Sequence, residues 1–571
     1  MKKTLVKCAA ALLALLLALP VCAPAFAAQY GPYEYDAFAR PEGESERLPS
    51  VSLPKWQKGL YEALNKAADA FLRVFNAFYI NPKSVLPADK MDTSLYLPGR
   101  SVYRKTAAQN AVWRLGYASL SLIPPDFEPG KYYIGRSLTN MPAEGVYDDN
   151  RVRVCALDDG VGDGLVIFAV ADGLGVTGGD TLAVRRAVLE WARARGVKIA
   201  SLNLGATHSH TALDTQGVAT ESIYKLLTGS VRNAFGITGE KRLENGERFK
   251  QYYVETVISA VKQAVTEMRP GRLYYKAVNP NGLIMDKRGL IAKADVPAIP
   301  VLHFIPNGGG AGAWIADIPC HPTAFDSSYH LASGDYVYFT EQRIEEKTGD
   351  RFLFMQGAAG MLTRCGTAVD TSKLPEEERM GASLRYTGKA FADLILNACG
   401  EMEPLEPVLN AKFSVSLLQP ENGVLLLALK AGLVNDTAYR TGLSPNALSV
   451  PVELGYVEFG RRLGLCLFPV ELYPEVFYGT SIINDGDYDA VSWENRDFSA
   501  PVPALLAPAA GVDMFAAHLM NDSLGYCVPD VDYAFLGHVI ADDNADESLS
   551  LGKTTASKIC AQFEALMQTV G

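Results

Sequence analysis

Two uninterrupted apolar runs, Gly164–Ala171 and Lys198–Leu204, bracket a stretch of helical spacing that Asp180 can cap and that runs to about Arg195. Short apolar runs bounded by turn residues read as buried strands. Two of them joined through a helix pair in parallel, because a parallel crossover needs about a dozen residues or more. This βαβ-like unit calls for a sheet with helices against it. Its second strand runs into Ala206-Thr207-His208-Ser209-His210. Histidines at i and i+2 on a strand share one face. The chain has only seven histidines, so the pair is a concentration. Imidazole ligates zinc and related metals and moves protons near neutral pH, so one ring could hold a metal while the other shuttles a proton. A pair of loop histidines bonded to backbone is the other reading.

The alternation continues. Helices are predicted near 221–235, 248–268, 336–346, 376–398 and 553–567. Strands are predicted near 273–278, 299–304, 352–356 and 463–468, with a hairpin of two strands, 411–418 and 423–429, around Glu421-Asn422-Gly423. Strands mixed with helices throughout, with no repeat and no linker, predict an α/β fold: one large catalytic domain with a mixed β-sheet flanked by helices and its site at strand ends. Ahead of it, Trp56, Leu60, Leu64, Phe71, Phe75 and Phe78 lie at helical spacing. They predict one amphipathic helix packed on the main domain. Peripheral contact with a membrane surface is the alternative, and basic residues are not concentrated on its polar face.

The N-terminus reads as an export signal. Lys2, Lys3 and Lys7 precede an apolar region, Ala9–Leu19, and Ala25-Phe26-Ala27 supplies the cleavage pattern. The expected division is residues 1–27 as a cleavable signal peptide, 28–95 as an extension bearing the helix, and 96–571 as the catalytic domain of a secreted protein. A net charge of −11 argues against nucleic acid as a partner. The seven cysteines beyond the signal are scattered, with no CxxC, so neither a disulfide framework nor a zinc ribbon is expected.

Four segments present ligand or acid–base groups at the ends of apolar runs. They are His208/His210; Pro319-Cys320-His321-Pro322-Thr323 with Ser333-Gly334-Asp335; Phe468-Pro469-Val470-Glu471; and Asn521-Asp522-Ser523-Leu524-Gly525-Tyr526. Taken in order, and joined by Phe354-Met355-Gln356 through Gly360, they resemble the motifs of the neutral/alkaline (non-lysosomal) ceramidases and their bacterial relatives. The likeness runs from about Trp113 to Asp532. It implies a zinc amidase with one Zn2+ held by His208, His321, Glu471 and Tyr526. It also implies that His210 contacts substrate and moves protons, and that a cation from the intervening segment, Arg288, helps to stabilise the oxyanion together with Tyr526. Each residue has a plainer reading: His321 as a core histidine, Glu471 as the first turn of a helix begun by Pro469, Tyr526 as a core tyrosine after a glycine turn.

The chain departs from the family pattern in places. Thr211-Ala212-Leu213-Asp214 stands where Ser-Gly-Pro is usual, Val470 replaces a glycine, and Gly360-Met361-Leu362-Thr363 lacks an acidic residue. An immunoglobulin-like C-terminal domain is not expected. These departures bear on substrate more than on metal. The expected activity is hydrolysis of the amide bond of an N-acyl amine, a small molecule or a ceramide-like lipid. A metal-dependent peptidase or esterase, or a non-catalytic binding protein on the same scaffold, are the alternatives. His303 is expected in the core. His330, His518 and His538 have no partner that spacing identifies, and Asp172 is either a support for the metal or a tight-turn residue.

Overall fold

A computed structural model describes residues 55–570 apart from 137–138, 281, 288–290, 326, 366–373, 434–436, 480–510, 531–532 and 534–548. The expected signal segment, His538 and Arg288 lie outside the described residues. In chain order the elements that frame the site begin with α1 (Lys55–Phe78), β1 (Trp113–Ser121), β2 (Arg151–Asp158), β3 (Leu165–Ala171), α2 (Gly178–Arg193), β4 (Ile199–Ala206), α3 (Ser222–Phe235) and α4 (Glu244–Thr266). Next come β5 (Arg269–Val278), β6 (Ile299–Pro306), β7 (Ala313–Ile318), α5 (Tyr336–Thr348), β8 (Arg351–Gln356), α6 (Ala382–Asn397) and β9 (Glu403–Leu405). The remainder are β10 (Leu409–Leu418), α7 (Gly423–Ala431), β11 (Leu448–Phe459), β12 (Leu463–Leu467), β13 (Glu471–Leu472), β14 (Asp513–Ala517), β15 (Tyr526–Cys527) and α8 (Thr555–Met567).

The strands divide over two large sheets. A nine-stranded mixed sheet runs β8-β7-β6-β5-β1-β2-β3-β4, with β9 also on β5. A six-stranded sheet is centred on β11, flanked by β10 and β12, with β14 parallel to β12. β3 shows how they pack. Val166, Phe168 and Val170 enter a core shared with Leu465, Leu467 and Phe515 of the second sheet. Its alternate residues Leu165, Ile167 and Ala169 pack under α2 and α4 with Val184, Val188 and Val257. On the outer face of the second sheet, Val452, Leu454 and Cys466 meet Leu426 of α7 and Phe563 of α8. The order is therefore helix, sheet, sheet, helix. Strands covered on both faces read as continuous apolar runs for this reason.

The α/β class and flanking helices agree with the sequence reading. One element does not. The segment expected as a second hairpin strand after Asn422 is the helix α7, whose first turn is capped by the Asn422 side chain accepting from Val424 N. Gly-Val-Leu-Leu-Leu-Ala-Leu is apolar on every side, so periodicity cannot separate a buried helix from a buried strand. α1 packs on α7 through Leu72 and Tyr79 against Leu427, Ala428 and Ala431. All seven described cysteines are free, with Cys155 and Cys466 buried. Among the described residues no helix is long and apolar enough to cross a membrane.

Candidate metal centre

The carboxyl ends of β4, β7, β8, β12 and β14 meet where the two sheets touch. Isolated bridges Gly205↔Met520 and Gly357↔Ala517 join one sheet to the other there. β4 delivers His208, β7 delivers His321, and the turn after β12 delivers Glu471 on β13. The helix that Pro469 was expected to begin starts later, at Pro474. Glu471 is instead a strand residue, paired in parallel register with Tyr526 of β15. Gly525 sets that register. Its φ is +85°, and a Cβ there would run into the Leu549 carbonyl.

Three of the expected ligands converge. His321 Nε2 lies 2.7 Å from Glu471 Oε1, and His208 Nε2 lies 3.3 Å from Glu471 Oε2. Both rings are oriented from behind. His208 Nδ1 donates to the Leu174 carbonyl at 2.6 Å, and His321 Nδ1 donates to the Leu362 carbonyl at 2.9 Å. A carbonyl only accepts, so each Nδ1 carries a proton and each Nε2 of the neutral ring turns a lone pair toward the carboxylate. Lone pairs facing a carboxylate at these distances need something positive among them, a proton or a cation. This donor set, two imidazoles and a carboxylate with the imidazoles fixed through their other nitrogens, suits zinc. His208, His210 and His321 form a group whose ligand atoms all lie within 4.8 Å of one another.

His210 Nε2 is 3.4 Å from His208 Nε2. His208 and His321 are buried, whereas His210 is partly exposed. Burial, then the neighbouring His208 and His321, holds the His210 pKa well below its usual value, so the ring is neutral. Burial alone would raise the Glu471 pKa, but His208 and His321 outweigh it, and the carboxylate stays ionised. His208 adopts φ +66°, and Leu519 and Asn521 are also left-handed, at +53° and +70°. Such backbone costs about 1–3 kcal/mol per residue and gathers at functional sites.

The remaining motif residues hold these loops. Ser209 Oγ donates to the Ser333 carbonyl at 2.9 Å. The Asp335 carboxylate accepts from Ala324 N and Phe325 N, just past His321. The Ser333–Asp335 stretch thus clamps both histidine loops. Gln356 Nε2 donates to the Ile318 and Cys320 carbonyls, and Asn521 Oδ1 accepts from Leu204 N. Asp172 accepts from Arg151 N and Arg153 Nη1 rather than from a histidine. His303 stacks on Trp314 at 3.7 Å and bonds Asp350, a structural role.

Two residues escaped the sequence reading. His518, at the end of β14, lies 6.2 Å from His208 between ring centroids. Its Nδ1 accepts from Leu472 N at 3.0 Å, so Nε2 carries the proton, and that nitrogen is buried without a hydrogen-bond partner among the described residues. Lys287 is the other. The segment expected to bring Arg288 runs beside β-paired Leu362–Arg364, and Lys287 exerts a positive field on His208, His210 and His321. Neither has a spacing signal, because both reach the site through tertiary packing alone.

No protein-family model and no curated protein sequence matches the chain. Solved structures do. The crystal structure of neutral ceramidase from Pseudomonas aeruginosa superposes with a TM-score of 0.57 at 17% identity, covering 80% of this chain and 74% of that one. A ceramidase complexed with C2 gives 0.55 at 15% identity, covering 80% and 75%. The chain has the neutral ceramidase fold. The motif resemblance is thereby borne out for the scaffold, and the meeting of this chain's two sheets explains why candidate ligands so distant in sequence share one end of the molecule.

Proposed function

We propose that the chain is a secreted, zinc-dependent amidohydrolase that cleaves the amide bond of an N-acyl amine, with a ceramide-like lipid as the favoured substrate class. The observation that carries this reading is the meeting of His208 Nε2 and His321 Nε2 on the Glu471 carboxylate. A zinc ion held by these three, with Tyr526 as the proposed fourth donor, would supply Lewis acidity and a water that ionises near neutral pH.

The chain's own residues do the rest. His210, neutral and partly exposed, takes the proton of the attacking water and returns it to the leaving amine nitrogen. Tyr526, beside Glu471 in register, and the cation-bearing segment of Lys287 and Arg288 are proposed to stabilise the developing oxyanion. The Ser333–Asp335 clamp keeps the two histidine loops in place while charge moves.

The test is hydrolysis by zinc-loaded protein of N-acyl-sphingosine, N-acyl amino acids and short peptides, with release of the free acid as readout. N-acyl amines should be cleaved in preference to peptides, and His321→Ala should abolish turnover. Protein that binds zinc stoichiometrically and cleaves none of the N-acyl amines would remove this reading.

A further inference from the structure

Nine of the sixteen exposed large apolar side chains among the described residues lie on or just beyond two helices, α1 and α3. On α3, Ile223, Leu227, Val231 and Phe235 repeat every fourth residue and form one stripe, with Phe235 75% exposed. On α1, Phe71, Val74 and Phe78 form another, with Phe78 66% exposed. A helix normally turns such a stripe inward. Here the inward positions are filled by other residues: Leu72 on α1 and Tyr79 just beyond it, with Leu226 of α3 packed beside them. The two helices are tied together by Tyr79 Oη donating to the Leu226 carbonyl and Ile80 N donating to Ser230 Oγ.

We infer that this pair of apolar ridges is a docking face for an anionic lipid surface. The charge supports that occupant. Arg73 and Arg232 are paired with Asp69 and Glu240, but Lys66 of α1 and Lys83, which lies beside Gly236 at the end of α3, are exposed and make no ion pair among the described residues. Apolar ridges flanked by free lysines settle into the headgroup boundary of anionic membranes. The side chains are Phe, Ile, Leu and Val, whereas protein interfaces favour Trp, Tyr and Arg at their centres. The exposed side chains belong to two separate helices, and a fluid lipid surface can take up both without a preformed matching groove.

The face is also fixed relative to the candidate metal centre. α3 begins twelve residues after His210. The segment between is pinned by the Asp214 carboxylate, which accepts from the backbone N–H groups of Gly217, Val218, Ala219 and Thr220. A lipid surface seated on α3 would thus be held at a constant distance from the histidines. The biological meaning of this placement rests on the lipid-amide reading given above, but vesicle binding is measurable without turnover.

The experiment is flotation of the full chain with phosphatidylcholine vesicles and with equimolar phosphatidylcholine–phosphatidylglycerol vesicles, beside a triple variant, Leu227→Ser/Val231→Ser/Phe235→Ser. Both proteins keep the same N-terminal segment, so it cannot account for a difference. The wild type should float best with the anionic vesicles, and the variant should lose about tenfold in partitioning as three apolar contacts are removed. A second variant, Lys66→Glu/Lys83→Glu, leaves the ridges intact and should lower binding to anionic vesicles only. Hydrolysis of a short, water-soluble N-acyl amine should be unchanged in the triple variant, while hydrolysis of a vesicle-embedded long-chain one falls. Flotation without any hydrolysis would remove the proposed activity and leave the docking face standing. Equal flotation of wild type and triple variant, no flotation at all, or a wild-type dimer that the triple variant dissolves with vesicle binding unaltered would each overturn the docking face.

Discussion

At the scale of single residues, the division of labour among the histidines is set by where each ring's second nitrogen goes. His208 and His321 spend Nδ1 on backbone carbonyls and face Glu471 with Nε2, while the His210 ring makes no such anchor among the described residues. His321→Ala and Glu471→Gln should therefore lose the metal, measured as zinc per chain. His210→Ala should keep it while kcat falls by about 10²–10⁴-fold, the usual worth of a general acid–base group. Loss of metal from His210→Ala as well would make it a ligand, as its membership of the three-histidine group allows. His518 acts through Leu472, whose N–H it accepts next to Glu471. His518→Ala should weaken zinc affinity about 10–100-fold, as for other groups that orient a ligand. His518→Asn, which can still accept from Leu472 N, should restore most of it. The His-x-His pair was legible because both rings lie on one short segment. His518 was not, because its partner is a backbone amide 46 residues away.

At the scale of elements, the buried strands were legible as apolar runs, and α7 was misread because its apolar run has no polar face to give a period. The motif Ser333-Gly334-Asp335 was legible as a motif but not as a clamp, since its partners come from other loops. It rests in turn on Asp148, whose carboxylate accepts from Ser333 Oγ at 2.5 Å and Gly334 N at 2.6 Å. Burial pushes the Asp148 pKa from 3.8 up to about 8. Between those values the folded state holds a proton that the unfolded state has released. This contribution to stability is full below pH 3.8, is lost as pH rises toward about 8, and is constant above. Asp148→Asn removes the titration and keeps an amide oxygen to accept from Gly334 N, while its NH2 faces Ser333 Oγ as a donor in place of the carboxylate acceptor. Its stability relative to wild type, from urea unfolding across pH, should improve steadily from pH 4 to about 8 and then level off. A difference independent of pH would mean that Asp148 is ionised in the fold throughout.

At the scale of the whole molecule, the candidate ligands belong to different layers. His208 and His321 extend from the nine-stranded sheet, and Glu471 follows β12 of the six-stranded one. Their meeting is a property of sheet-on-sheet packing, which no local pattern encodes. The shared core of Phe168, Leu465 and Phe515, with the bridges Gly205↔Met520 and Gly357↔Ala517, brings these strand ends together. An ion held there would bridge the sheets, so binding should stabilise the folded chain as any ligand of the native state does, by about 2.7 kcal/mol at a hundredfold excess over Kd. Dialysis against EDTA should lower the wild-type Tm in scanning calorimetry, and added zinc should restore it. In His321→Ala the Tm should be lower at the start and should respond to neither treatment. A wild-type Tm indifferent to EDTA and zinc, in protein shown by elemental analysis to have lost and regained the metal, would mean that the ion sits elsewhere than between the sheets.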